Sequence, residues 1–192
     1  MIGIFLGGQN SGKTLAMTYF AKDYYNKGYS IYSNYNLNFP HKKITKKLIE
    51  DYVKAKKQFN RAVFLIDEIY LILDSRGFMK NKVMSYFILQ TSKRDVNLFG
   101  TAQFFNTTDL RLRDNTNFMV FCERVNKIKN KFYPVKSNRR FLDLNNILYI
   151  KMNFISKNKG GLMETMDIKT HYLKAEKIFN LYDTTELLGL ED

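Results

Sequence analysis

Three features of the chain predict an α/β fold with a mostly parallel central sheet flanked by helices. Short apolar runs alternate with helical stretches, the reading of parallel strands joined by crossover helices. Two of these runs, "IGIFL" (2–6) and "AVFLID" (62–67), are unbroken rather than alternating, as in strands buried on both faces. The first run leads directly into the glycine-rich "GGQNSGKT" (7–14), a strand–loop–helix junction. With 192 residues, 45% of them hydrophobic, the chain is long enough for one domain with a full core.

The spacing Gly7-x4-Gly12-Lys13-Thr14 fits the P-loop pattern. In such a loop the backbone of Gly7, Gly8, Gln9, Asn10, Ser11 and Gly12 turns its N–H groups into one concavity. The helix that starts near Lys13 aims its positive end at the same place. Lys13 then reaches the β- and γ-phosphates of ATP, and the Thr14 hydroxyl binds Mg2+.

That helix runs to about Asn26 and is closed by Lys27 and Gly28; "YSIYSNYNL" (29–37) is the second strand. Residues 44–58 form an amphipathic helix with Ile44, Leu48 and Tyr52 on one face. After the strand 62–67 comes a helix, "KVMSYFILQTSK", and then the strands "VNLFGTAQ" and "FMVFCERV". These make a five-strand core within about 125 residues. From Arg124 to Arg140 seven of seventeen residues are basic and none is acidic. Residues 147–155 and 162–170 read as a β-hairpin in which Leu148, Ile150, Met152 and Phe154 share a buried face. A last helix is expected from about Tyr172 to Leu181. The whole, 1–192, is read as a single domain with its core at about 1–125 and an extension at about 126–185.

The run "AVFLIDE" ends in two consecutive carboxylates. Asp67 is placed to hold the Mg2+ shell, and Glu68 to orient or deprotonate an attacking water. A carboxylate directly after the aspartate favours hydrolysis over mere nucleotide holding. Gln103, at the end of the strand 96–102, is the candidate sensor of the γ-phosphate, the role this position takes in ATPases with an extra strand between the Walker A and Walker B strands. Arg94 precedes the same strand and so sits at its opposite end, where it reaches only a neighbouring subunit's nucleotide. Arg111 and Arg113 are its rivals for that finger.

Lysine and arginine number 31 against 18 acids, a formal net charge of +13, which suits a polyanionic partner, although a solubilising lysine bias would give the same balance. The single cysteine, Cys122, excludes an intrachain disulfide and lies in an apolar run as a core residue. No apolar stretch approaches the ~20 residues of a membrane span, and the N-terminal strand does not read as a signal peptide.

Taken together, "GGQNSGKT", "FLIDE", the arginine before "VNLFGTAQ", and "DLRLRDNTNFMV" resemble the FtsK–HerA superfamily of RecA-like DNA-pumping ATPases. The branches most similar are the genome-packaging ATPases of tailless viruses and the zonula occludens toxin-like proteins of filamentous phages. The closing "IFNLYDTTE" is similar to both. The resemblance implies a hexameric ring around double-stranded DNA, with Lys13 and Thr14 in Walker A, Asp67 and Glu68 in Walker B, Gln103 as sensor and Arg94 as finger. Toxin-like relatives usually carry a membrane-spanning segment; its absence here favours packaging of a virus genome over extrusion. The expected setting is the cytoplasm of an infected cell or the virion, with a capsid or membrane vertex as partner.

A motor that grips DNA without reading its sequence needs lysines on its lumen. Lys80 and Lys82 are one candidate set, and Lys127, Lys129 and Lys131, on one side of an extended strand, are the other. A small-molecule kinase and a nucleotide-switched assembly protein are the competing readings. The finger assignment has a direct test. Arg94→Ala is expected to bind ATP but not turn it over, and mixing it with Lys13→Ala, also inactive, is expected to restore ATPase activity. Full activity of Arg94→Ala alone passes the role to Arg111 or Arg113.

Overall fold

The computed structural model describes residues 1–54, 59–71, 82–91, 95–128, 130–135, 148–156 and 167–182. Its strands form a single sheet, built from β1 (Ile2–Leu6), β2 (Ser30–Ser33), β3 (Lys42–Lys43), β4 (Ala62–Ile66), β5 (Val96–Ala102), β6 (Phe118–Ile128), β7 (Lys131–Pro134), β8 (Leu148–Ser156) and β9 (Asp167–Lys174). The order is β3-β2-β4-β5-β1-β6-β8-β9, with β7 paired to β6. From β3 through β6 neighbouring strands are parallel; the antiparallel pairs of β6 with β7 and β8, and of β8 with β9, form the wing of the sheet. The P-loop fold class expected from the sequence is the one observed.

Alternation along the buried strands divides the core in two. Ile2, Ile4 and Leu6 of β1, with Ala62, Phe64 and Ile66 of β4, face one side. There they meet α2 (Lys46–Val53), α3 (Lys82–Thr91) and α4 (Leu110–Asn115) through Ile49, Tyr52, Phe87, Ile88 and Leu112. Phe5, Val63, Leu65 and Phe99 face the other side and pack on Leu15, Ala16, Met17 and Ala21 of α1 (Lys13–Asn26). The first core is bound by aromatic rings. Phe64 stacks on Tyr32 at 4.7 Å between centroids and meets Phe87 edge-on at 4.9 Å.

Local chemistry explains where the helices stop and start. α1 is closed just past its C-cap Lys27 by Gly28, whose φ of 82° few side chains tolerate. Its N–H bonds the Tyr25 carbonyl, and the Tyr29 N–H returns to Tyr24, the paired bonds of a Schellman cap. Thr45 caps α2 by accepting from the Leu48 N–H.

The C-terminal third departs from the sequence reading in three ways. The second hairpin strand is Asp167–Lys174, later than 162–170, and pairs Ser156 with Asp167 through Tyr149 with Lys174. Tyr172 and Leu173 are therefore strand residues; the terminal helical stretch is two 3₁₀ turns, Ala175–Lys177 and Phe179–Leu181, not an α-helix. Lys127 and Lys131 do not share one extended strand. Asn130, at φ 64°, reverses the chain between them, so Lys127 lies on β6 and Lys131 on β7. Of the hairpin face, Ile150 and Met152 are buried and Phe154 is partly so; the side chain of Leu148 lies outside the described residues.

Phe64 is fully buried against the rings of Tyr32, Phe59 and Phe87. Phe64→Ala is expected to lower the unfolding free energy by about 3–5 kcal/mol, measured by urea denaturation.

Candidate nucleotide site

β1 delivers the loop 7–12 at the C-terminal edge of the sheet, where Leu6 pairs with Ala102 on one side and Phe121 on the other. Three residues of the loop have positive φ: Gly7 at 149°, Asn10 at 58° and Gly12 at 91°. Such alternation curls backbone N–H groups inward, forming an anion cradle. The two glycines also have no space for a side chain. A Cβ at Gly7 would stand 2.6 Å from the Cys122 carbonyl, and one at Gly12 would stand 2.6 Å from Ile150 Cδ1. The wing is thus the wall behind the loop. Gly8 and Gln9 lie at its exposed tip, with Ser11 N–H bonded to the Gly8 carbonyl at 3.2 Å.

Lys13 opens α1 and is only 6% exposed, with Nζ on the Gly8 carbonyl at 3.1 Å. Among the described residues no carboxylate pairs with it. A buried ammonium held by one carbonyl dipole suits an added anion. Among the described residues the buried Ser11 hydroxyl has no hydrogen-bond partner, a second group in the loop that phosphate oxygens would satisfy. Gly12, the N-cap of α1, offers no side-chain cap and leaves the first N–H groups of the helix for the same ligand.

Opposite the loop, β4 ends at Ile66 and the chain turns through Asp67 and Glu68. The Thr14 hydroxyl donates to Asp67 Oδ1 at 2.9 Å, and the Thr101 hydroxyl donates to the same oxygen at 2.5 Å. Thr101 Oγ1 also accepts from the Glu68 N–H at 2.8 Å. From the other side, the Asn34 amide accepts from the Asp67 N–H at 2.8 Å and donates to the Asp67 carbonyl at 3.0 Å. These bonds hold Glu68 at φ 52°, a left-handed conformation that a residue with a side chain seldom adopts. Its Oε2 is buried without a partner among the described residues, and its carboxylate accepts from the Tyr70 hydroxyl. That bond, then slight burial, raises the Tyr70 phenol above its ordinary value.

Thr14 and Asp67 present two hard oxygens side by side, a donor set that suits Mg2+. Thr14 and Asp67 would hold the ion, and a divalent cation there would supply charge neutralisation to a bound nucleotide. Chemically, a carboxylate at Glu68 could accept a proton from water, and Lys13 with the loop amides could balance charge on a phosphoryl group.

The other expected site residues fall as follows. β5 lies between β4 and β1, the inserted strand expected beside a sensor, and Gln103 leaves it exposed at the edge where Ala102 pairs with Leu6. Arg111 Nη1 donates to Ser85 Oγ of α3, and Arg113 buries its Nε without a partner among the described residues. Arg94, Lys80 and Lys129 lie outside the described residues, as does the side chain of Lys82. Lys127 and Lys131 are exposed on the wing, Lys127 standing 5.9 Å over the Phe132 ring. Thr101 and Asn34 are the candidate functional residues that the motifs did not reveal. A polar residue just before or after the end of a buried strand was the available signal.

The model of the ATPase family associated with various cellular activities (AAA) matches residues 4–142. No curated protein matches the chain by sequence. Among solved structures, the N-terminal domain of zonular occludens toxin from Neisseria meningitidis is similar with a TM-score of 0.61 and 16% identity, over 95% of this chain and 98% of that one. The genome packaging NTPase B204 from Sulfolobus turreted icosahedral virus 2, in complex with ATP-gammaS, gives 0.56 and 12% over 88% and 96%. The flagellar accessory protein FlaH from Methanocaldococcus jannaschii gives 0.50 and 10% over 88% of each chain. At these identities the likeness is one of fold.

Lys13→Ala is expected to abolish ATP turnover, because the buried ammonium is the loop's only side-chain cation. Glu68→Gln is expected to bind ATP and hydrolyse it at least ~100-fold more slowly, the scale of a lost general base. Phosphate release and binding of a fluorescent ATP analogue, measured on both variants, separate the two roles.

Proposed function

The chain belongs to the ATPase family associated with various cellular activities, and on that premise we propose that it is an ATP-driven translocase of double-stranded DNA. In this reading it works as a hexameric ring and moves a virus genome into its capsid. Its setting is the cytoplasm of the infected cell or the virion, with a capsid or membrane vertex as its docking partner. The observation that carries the reading is the pairing of the Asp67–Glu68 turn with a net charge of +13 that leaves Lys127 and Lys131 exposed on the wing. A sequence-independent grip on phosphate needs positive charge and few base contacts. The likeness to a genome packaging NTPase supports this reading, and the likeness to a zonular occludens toxin domain supports a second one, filamentous phage assembly or extrusion. No helix among the described residues is long and apolar enough to cross a membrane. A nucleotide-switched assembly protein shares the fold but has no reason to respond to DNA. Glu68 directly after Asp67 and the excess of basic residues argue against a small-molecule kinase.

ATPase rate with and without double-stranded DNA, together with mass in solution, tests the reading. DNA is expected to raise the rate of an oligomer whatever its base sequence, and the binding to weaken steeply with salt. Replacing Lys127 and Lys131 by glutamine is expected to reduce the salt slope by about 2, one for each phosphate no longer neutralised, and to leave the DNA-free rate unchanged. A rate indifferent to DNA at low salt favours the switch.

A further inference from the structure

The C-terminal segment reaches the nucleotide site from a side that the motifs do not occupy. After β9, Ala175 of the first 3₁₀ turn and Ile178 between the two turns are buried in the α1-side core. The chain then runs beside the loop that leaves β2. The Asn38 N–H donates to the Leu181 carbonyl at 2.8 Å, Asn38 Nδ2 donates to the Asn180 carbonyl at 2.8 Å, and Leu37 forms a β-bridge with Tyr182.

Tyr182 sits edge-on to Tyr35, with ring centroids 5.9 Å apart at 81°. Tyr35 is buried, and its hydroxyl lies 2.9 Å from Thr18 Oγ1. Thr18 gives its own proton to the Thr14 carbonyl at 2.8 Å, so Tyr35 is the donor to Thr18. Thr14 is the residue whose hydroxyl touches Asp67. The same loop reaches Asp67 a second way, through the two Asn34 bonds to its peptide groups. Burial, then the Asp67 carboxylate, push the Tyr182 phenol up to about 12, so it stays neutral in the working range of the site.

We infer that Tyr182 is a positioning residue of the ATP site, acting through Tyr35 on Thr14 and through the loop 34–38 on Asp67. It touches no phosphate. Its ring fixes Tyr35, and Tyr35 fixes the first turn of α1 against the end of β4. The two oxygens that suit Mg2+ are those whose spacing this series of neighbours sets. The inference rests on the ATPase assignment and not on the DNA reading, so its test contains no DNA.

The test compares Tyr182→Ala, Tyr182→Phe and Phe179→Ala in the full chain. Each is titrated with a fluorescent ATP analogue, once with Mg2+ and once with EDTA. Tyr182→Ala is expected to raise the Kd of the Mg2+ complex by about tenfold, the scale of one hydrogen bond, and to leave the metal-free Kd within about twofold. Tyr182→Phe keeps the ring and is expected to bind as the unaltered chain does. Phe179, exposed on the same segment, serves as the neutral control. Hydrogen exchange adds a readout independent of affinity: Mg2+ and nucleotide are expected to slow exchange in the loop 34–38, and Tyr182→Ala to abolish that protection. An equal loss of affinity with and without Mg2+, or no loss, overturns the inference. If Tyr182→Ala does not fold, Tyr35→Phe carries the same expectation, because it removes only the hydroxyl that holds Thr18. An unchanged Mg2+ dependence in Tyr35→Phe then overturns it.

Discussion

One carboxylate oxygen, Asp67 Oδ1, organises the site. It accepts from Thr14 of α1 and from Thr101 of β5, so a helix and two strands meet on a single atom. Each donor is a hydroxyl, which can turn its proton elsewhere when a cation arrives. A lysine or arginine in either place would neutralise Asp67 permanently, whereas a hydroxyl leaves its charge open to a cation. Everything else in the neighbourhood serves this meeting point. The parallel register sets the ends of β1, β4 and β5 at one edge, and the Asn34 amide fixes the peptide that carries the carboxylate.

What the sequence made legible was what is contiguous in it. The loop 7–14 and the pair Asp67–Glu68 carry their meaning in neighbouring residues, and the strand pattern around them is strongly apolar. Thr101 and Asn34 gave little sign, because their roles depend on which strands lie side by side. The C-terminal third misled for a physical reason. "HYLKAEKIFNLY" (171–182) has the spacing of a helix, yet Tyr172 and Leu173 are drawn into the sheet by pairing with Lys151 and Ile150. In the same way, alternating lysines at 127–131 suggested one strand, and Asn130 turned the chain instead.

The wing is more than an appendage to the core. Ile150 occupies the space that a side chain at Gly12 would need, and the Cys122 carbonyl occupies the corresponding space at Gly7. The stacking of Phe132 on Tyr172, centroids 3.8 Å apart, braces β7 against β9 and steadies the same strands. Loop and wing therefore constrain each other at van der Waals distance.

The order of strands also bears on how the molecule comes into being. β1 pairs with β5 and β6, whose partners of Ile2 and Gly3 lie at Leu98 and Phe118, roughly a hundred residues further along the chain. The loop it carries gains its back wall only when Ile150 is in place. The loop and its wall are therefore assembled from segments far apart in the sequence. A ligand that binds this assembled site and not the unfolded chain pulls the folding equilibrium toward the native sheet by mass action.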